Sequence, residues 1–321
     1  MDSTLRPMST SQVLDRTFYL YRNHFTLLAG IGTLLPALLL LLQLIFLPLG
    51  FPPRTTRIVN PTDIFTPAFF GYILSVVLVS FIGQALAGAA TVYAVSKTHL
   101  GQSVTIGESY RRVLGRFWTL IFVAFWIYVI LFLAVMVVEI AVVAIFLIFT
   151  AIGTAFKSGA GVIGVIVAII IGVGLGLAGL VGILSLYARF SLAVPACMLE
   201  GLGVFRALGR SSSLAKGSIF RLILIFLLMA CLVLALSFLF AVPGQILALA
   251  TGGRFFLLST LLQSLGSFVA GVLAGPVSTI ATALVYYDQR VRKEALDLQL
   301  MMGAIGQSAA PQPVMPPPVI G

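Results

Sequence analysis

Along this chain, long apolar runs alternate with short segments in which basic residues collect. Six runs are apolar enough to cross a bilayer, for which about 20 residues suffice. They cover roughly 26–48, 67–94, 117–150, 161–188, 218–242 and 264–287. Only backbone that satisfies its own hydrogen bonds survives in hydrocarbon, so runs of this length predict helices. The expected fold is all-α: a polytopic membrane bundle of six transmembrane helices over residues 26–287, with Pro36 kinking the first. Residues 49–66, with Pro52, Pro53 and Pro61, read as an external loop. Residues 303–321 form a Pro-rich tail without periodicity, expected to be disordered. No stretch is left for a separate soluble domain.

The polar segments carry their own periodicity. In residues 1–25, Leu14, Phe18, Tyr21 and Phe25 recur at helical spacing. Ser9 and Gln12 have capping-box spacing ahead of them. This amphipathic helix suits the bilayer interface, or packs on the ends of the bundle. Thr105 and Glu108 repeat the cap signal, followed by a stripe of Ile106, Tyr110, Val113 and Phe117. Residues 288–302, with Arg290, Arg292 and Lys293, read as a basic helix after the last span.

Charge adds orientation. Of 19 Lys and Arg residues, 15 fall in four clusters: Arg6, Arg16 and Arg22; Lys97, Arg111, Arg112 and Arg116; Arg189, Arg206, Arg210, Lys216 and Arg221; and Arg290, Arg292 and Lys293. Arg54, Arg57, Lys157 and Arg254 lie in the alternate loops. Basic loops stay inside, so a multi-pass protein of the bacterial inner membrane with both termini cytoplasmic is expected. The net charge of +10 does not call for nucleic acid, because the cations sit beside spans. Each contributes about 1 kcal/mol of attraction to an anionic leaflet, which makes membrane lipids the expected partner. Residues 1–25 hold Arg6, Asp15, Arg16 and Arg22 and no apolar core, so no cleavable signal peptide is expected there.

A repeat emerges at a spacing of 94 residues. Tyr93-Ala94 matches Tyr187-Ala188, Gly107 matches Gly201, and Arg112-Val113-Leu114-Gly115-Arg116 matches Arg206-Ala207-Leu208-Gly209-Arg210. Residues 92–116 and 186–210 share 7 identities in 25 without a gap. Each unit reads as span, basic cytoplasmic helix, span, and the copies enter the membrane alike, which makes the internal repeat parallel. Arg112, Arg116, Arg206 and Arg210 are then candidate lipid-headgroup contacts, since a guanidinium donates two hydrogen bonds to one phosphate. Gly115 and Gly209 are expected to permit close packing.

Catalytic chemistry finds few residues. His24 and His99 lack carboxylate partners in sequence, and Cys197 and Cys231 are single and far apart, so neither metal ligands nor a nucleophile is assigned. Gly174 to Gly179 satisfies GxGxxG but lies inside an apolar run with no preceding strand, which excludes a dinucleotide site. Gly172 with Gly176, and Gly271 with Gly275, have GxxxG spacing and are read as helix-packing positions. Glu139 is the one acid within an apolar run. Counting 22 residues from Phe117 puts it about 33 Å along the helix, near the far interface rather than mid-bilayer. Gln43, Gln84 and Gln263 are read as ties between helices.

Several of these residues also carry a resemblance. Leu5-Arg6-Pro7-Met8-Ser9, Leu14-Asp15-Arg16-Thr17-Phe18 and Tyr21-Arg22 form its first part. Tyr187-Ala188-Arg189, Pro195, Glu200, Ala207-Leu208-Gly209-Arg210-Ser211 and Lys216-Gly217 form its second. Over most of residues 5–295 the chain resembles a bacterial integral-membrane family named for the glycerophosphoryl diester phosphodiesterase membrane domain. That resemblance implies a helical membrane module without an assigned biochemical role. It carries no phosphodiesterase activity, since neither histidine here is followed by Arg-Gly. The expected function is a non-enzymatic, cofactor-free accessory or membrane-organising module that engages anionic lipid, a membrane-protein partner or a second copy of itself. The alternative is a transporter of a small solute or lipid, suggested by the repeat and the glycine-rich spans.

Overall fold

In a computed structural model of the protein, residues 8–47, 67–99, 101–155, 160–252 and 254–294 are described. The expected loop at 49–66, Lys157, residues 295–302 and the Pro-rich tail lie outside them. All regular structure among the described residues is helical. In chain order the helices are α1 (Thr10–Asn23), α2 (Phe25–Gly32), α3 (Leu34–Phe46), α4 (Pro67–His99), α5 (Ile106–Leu114) and α6 (Phe117–Ala155). They continue with α7 (Ala160–Phe190), α8 (Ala193–Glu200), α9 (Val204–Ala215), α10 (Ile219–Ala250) and α11 (Phe256–Glu294). Six segments are long and apolar enough to cross a membrane: Phe25–Phe46, Pro67–Thr98, Phe117–Ala151, Gly164–Glu200, Ile219–Ala250 and Phe256–Glu294. The chain is a multi-pass helical membrane protein.

The first span is divided. Pro36 has no N–H for the carbonyl four residues back, that of Gly32, and the helix breaks there between α2 and α3. Thr33 at the break turns its hydroxyl onto the Ala29 carbonyl at 2.7 Å. The break interlocks with the last span. Gly32 lies directly under the ring of Pro276, and Pro36 lies against Gly271, where an added Cβ would come within 2.7 Å of its ring. Each proline fills the notch left by the other helix's glycine.

Other glycines divide according to their neighbours. Gly179 of α7 faces Val138 of α6, whereas Gly172 only touches Val142 and nothing lies within 4 Å of a Cβ on Gly176. Gly275 likewise meets nothing within 4 Å. Of the two GxxxG pairs, only Gly271 makes a tight helix contact. The tightest backbone approach is between α10 and α11, and it reaches past the expected bounds of 218–242 and 264–287. Gly244 abuts the backbone of Ser259 and Gln263, and Gly266 abuts the carbonyl of Phe240. That contact carries α10 through Pro243 to Ala250, so the two form one long hairpin.

α6 and α7 make a second long hairpin; at 39 residues, α6 is about 58 Å long, well beyond a hydrocarbon thickness of about 30 Å. α11 is the hub, touching α1, α2, α3, α4, α8, α9 and α10. The core gathers at one end of the bundle, where Ala89, Ala94, Ala188, Ala196, Ala281 and Ala283 are fully buried. Small residues let backbones close up in this way where lipid gives no hydrophobic drive. Threaded through this core is α8, a short apolar helix absent from the sequence reading, with Ala193, Ala196 and Cys197 fully buried. It ends at Gly201, whose φ of 73° favours glycine.

α1 packs on the end of the bundle against α11 through Val13, Thr17 and Leu20. The expected stripe docks only in part: Leu14 and Tyr21 pack against the core, whereas Phe18 and Phe25 stay exposed. Its capping box is present: Gln12 N–H donates to Ser9 Oγ at 3.2 Å and Ser9 N–H donates to Gln12 Oε1 at 2.7 Å. On α5, Thr105 accepts from Glu108 N–H at 3.2 Å. The two sequence-repeat segments differ in their helix bounds. Arg112 is on α5 with Arg116 in the turn after it, whereas Arg206 and Arg210 both lie inside α9.

Candidate functional site

The charged residues converge on the end of the bundle that holds the core. α11 delivers Tyr286, Asp288, Arg290, Arg292, Lys293 and Glu294; α8 ends in Glu200; α9 and the start of α10 supply Arg210 and Arg221. Arg210 donates from Nε to Glu200 Oε2 at 2.9 Å and from Nη2 to Glu294 Oε2 at 2.7 Å. Arg290 adds an Nε bond to Glu294 Oε2 at 3.2 Å, and Tyr286 donates its hydroxyl to Glu200. Hydrogen bonds from Arg210 to Glu294 and Glu200 raise its pKa above the ordinary arginine value, so it stays a cation at any working pH.

A second group closes the two ends of the described chain. The Asp288 carboxylate is buried; its Oδ2 accepts from Arg221 Nη1 at 2.5 Å and Arg292 Nε at 2.9 Å. Its Oδ1 accepts from the backbone N–H of Met8 at 2.7 Å, while the Met8 carbonyl accepts from both arginines. Lys293 Nζ donates to the carbonyls of Ser213 at 2.8 Å and Lys216 at 2.5 Å, a cation where the dipole of α9 ends. Arg189 Nε donates to Ser212 Oγ at 2.6 Å. Arg116 reaches the Cys197 carbonyl at 3.5 Å and leans on Gly201, where a Cβ would come within 2.9 Å. The Tyr110 hydroxyl donates to the Ile31 carbonyl at 2.6 Å, and burial pushes its pKa up to about 12.

Most of the basic clusters therefore hold the protein to itself, and the structure divides the four candidate arginines. Arg116 and Arg210, the second of each Arg-x-Leu-Gly-Arg segment, are partly buried and engaged. Arg112 and Arg206 are exposed and make no ion pair among the described residues. Gly115 and Gly209 do not serve close helix packing; the first meets only its own carbonyls and the second nothing within 4 Å. Arg111 and Arg112, with Tyr93, Glu108, Gly115 and Arg116, line a concavity of about 590 Å³ at the foot of α4, α5 and α6. Around this level Trp118, Phe205 and Phe220 stand at least 70% exposed beside Arg116, Arg206 and Arg221. Exposed aromatics beside cations are the signature of a membrane–water interface.

The remaining candidates lie elsewhere. Glu139 is exposed on α6, 22 residues from Phe117, and lines neither of the cavities within the spans. Gln43 and Gln84 line one crevice between helices and make no side-chain hydrogen bond across it among the described residues. Cys197 is buried, Cys231 is exposed, and both are free. Sequence reasoning used Glu200 only for the resemblance and passed over Asp288 and Glu294, because basic residues alone were counted for orientation. The available signal was that seven of the chain's nine acids, all but Asp63 and Glu139, fall inside its basic segments. No family profile, curated protein or solved structure matches the chain.

Proposed function

We propose that this protein is a non-enzymatic module of the bacterial inner membrane that holds anionic lipid headgroups at its basic end, with that end and both termini in the cytoplasm. The family resemblance belongs to the same proposal. The observation that carries the reading is the division of the arginines: structural acids neutralise Arg210, Arg221, Arg290 and Arg292, while Arg111, Arg112 and Arg206 stay exposed at the aromatic level. A free guanidinium at that depth suits a lipid phosphate, to which it donates two hydrogen bonds from one plane.

Two measurements test it. After Arg111, Arg112 and Arg206 are replaced by Gln, the protein should insert and melt as wild type. The ratio of anionic to zwitterionic lipid retained through purification should fall several-fold by native mass spectrometry. An unchanged ratio removes the headgroup role. Orientation is tested by single cysteines on a background lacking Cys197 and Cys231. An impermeant maleimide applied to spheroplasts should label Thr56→Cys and leave Thr98→Cys untouched until lysis. The opposite pattern inverts the protein.

A further inference from the structure

Two cavities lie within the spans and meet along α4. One of about 260 Å³ lies among α2, α3, α4, α10 and α11, and one of about 460 Å³ lies among α4, α6, α7, α8, α10 and α11. Gln84 and Gly88 of α4, Val233 of α10 and Thr279 of α11 line both. Counted along their helices from Thr98, Arg221 and Asp288, the junction residues Gln84, Val233 and Thr279 lie about 21, 18 and 14 Å from the basic end. That is the middle of the hydrocarbon, where about 15 Å separates the centre from either interface.

The lining selects the guest. Neither cavity is lined by Asp, Glu, Lys, Arg or His, so a charged group would stay uncompensated at mid-bilayer. Most of the wall is apolar, from residues such as Leu35, Leu39, Phe268 and Phe226. Against it stand the carboxamides of half-buried Gln43 and of Gln84, which is exposed toward the crevice; neither is hydrogen-bonded among the described residues. An amide without a partner in hydrocarbon costs several kcal/mol, and a guest with an uncharged donor and acceptor removes that cost. Volumes of this order suit a small amphiphile. Two glycines keep the space open, since a Cβ on Gly88 or Gly275 would meet nothing within 4 Å.

We propose that this crevice binds a neutral lipid carrying a free hydroxyl group, with the hydroxyl at Gln84 and the acyl chains along the apolar walls. The test uses the full-length protein in nanodiscs with a diazirine-bearing diacylglycerol as probe. Saturable crosslinking to peptides around Gln84 and Thr279 is expected. Gly88→Leu or Gly275→Leu, each growing into open space, should cut it about tenfold without lowering the melting temperature; Gln84→Leu should weaken it by about tenfold, as for one lost hydrogen bond. A triacylglycerol analogue without the hydroxyl and a phosphatidylglycerol probe should label these peptides poorly. Equal labelling by the triacylglycerol analogue, stronger labelling by the anionic probe, or labelling indifferent to the filled variants would each overturn the site.

Discussion

Gly266→Ala is expected to destabilise the protein by about 3 kcal/mol or more, at the upper end of overpacking costs because the obstacle is backbone. A methyl group there would overlap the Phe240 carbonyl across the α10–α11 hairpin, and neither helix has a flexible side chain to yield at that point. The opposing term is helix propensity, which favours alanine over glycine by only about 1 kcal/mol. Overlap wins. Gly176→Ala, on a position with nothing within 4 Å, gives the comparison and should melt at or slightly above wild type. Fluorescence-detected melting of both variants in one detergent decides the matter. Equal melting temperatures for Gly266→Ala and wild type would mean that the hairpin is not packed as described.

Asp288→Asn should cost about 2–3 kcal/mol. The substitution keeps size and one acceptor but leaves Arg221 and Arg292 without a counter-charge. Stranding a partner of a buried ion pair costs about 3–5 kcal/mol, and the partial exposure of both guanidinium groups places this case below that range. Glu139→Gln supplies the baseline, since an exposed acid with no ion pair among the described residues should fall within about 0.5 kcal/mol of wild type. Removing Arg221 as well should recover part of the loss, which a double-mutant cycle measures directly. If Asp288→Asn melts with Glu139→Gln, the ion-pair group contributes nothing to stability.

The spans were legible because hydrocarbon leaves the backbone no choice, so hydropathy alone places them. Local signals read equally well: the Ser9–Gln12 box is present, and Pro36 announced the break, although the gap falls four residues back, at the Gly32 carbonyl that its missing N–H would have met. What failed depended on distant partners. The face of α1 was read from side-chain size, yet Thr17 docks and Phe18 does not, because the bundle end accepts a narrow row and aromatics are content at the interface. Helix α8 was invisible for a related reason, as seven apolar residues ahead of Glu200 and beside a span look like its continuation. Nor does spacing distinguish Gly271 from Gly275; only the position of Pro36 does. Two of the four candidate arginines prove engaged on the same ground, Arg116 by a carbonyl 81 residues away and Arg210 by an acid 84 residues away in sequence.

The seat of Met8 and α1 has an order of assembly built into it. Its anchors, Arg221, Asp288 and Arg292, are separated from Met8 by 213 to 284 positions. A growing chain has no dock for its first helix until its last described helix has left the ribosome. Through that interval α1 waits with its apolar row uncovered. A chain interrupted before α11 never closes, and its Arg221 keeps an unmatched charge. The clasp between early and late segments thus forms only once α11 has been made, so a chain cut short before α11 differs physically from one that carries it.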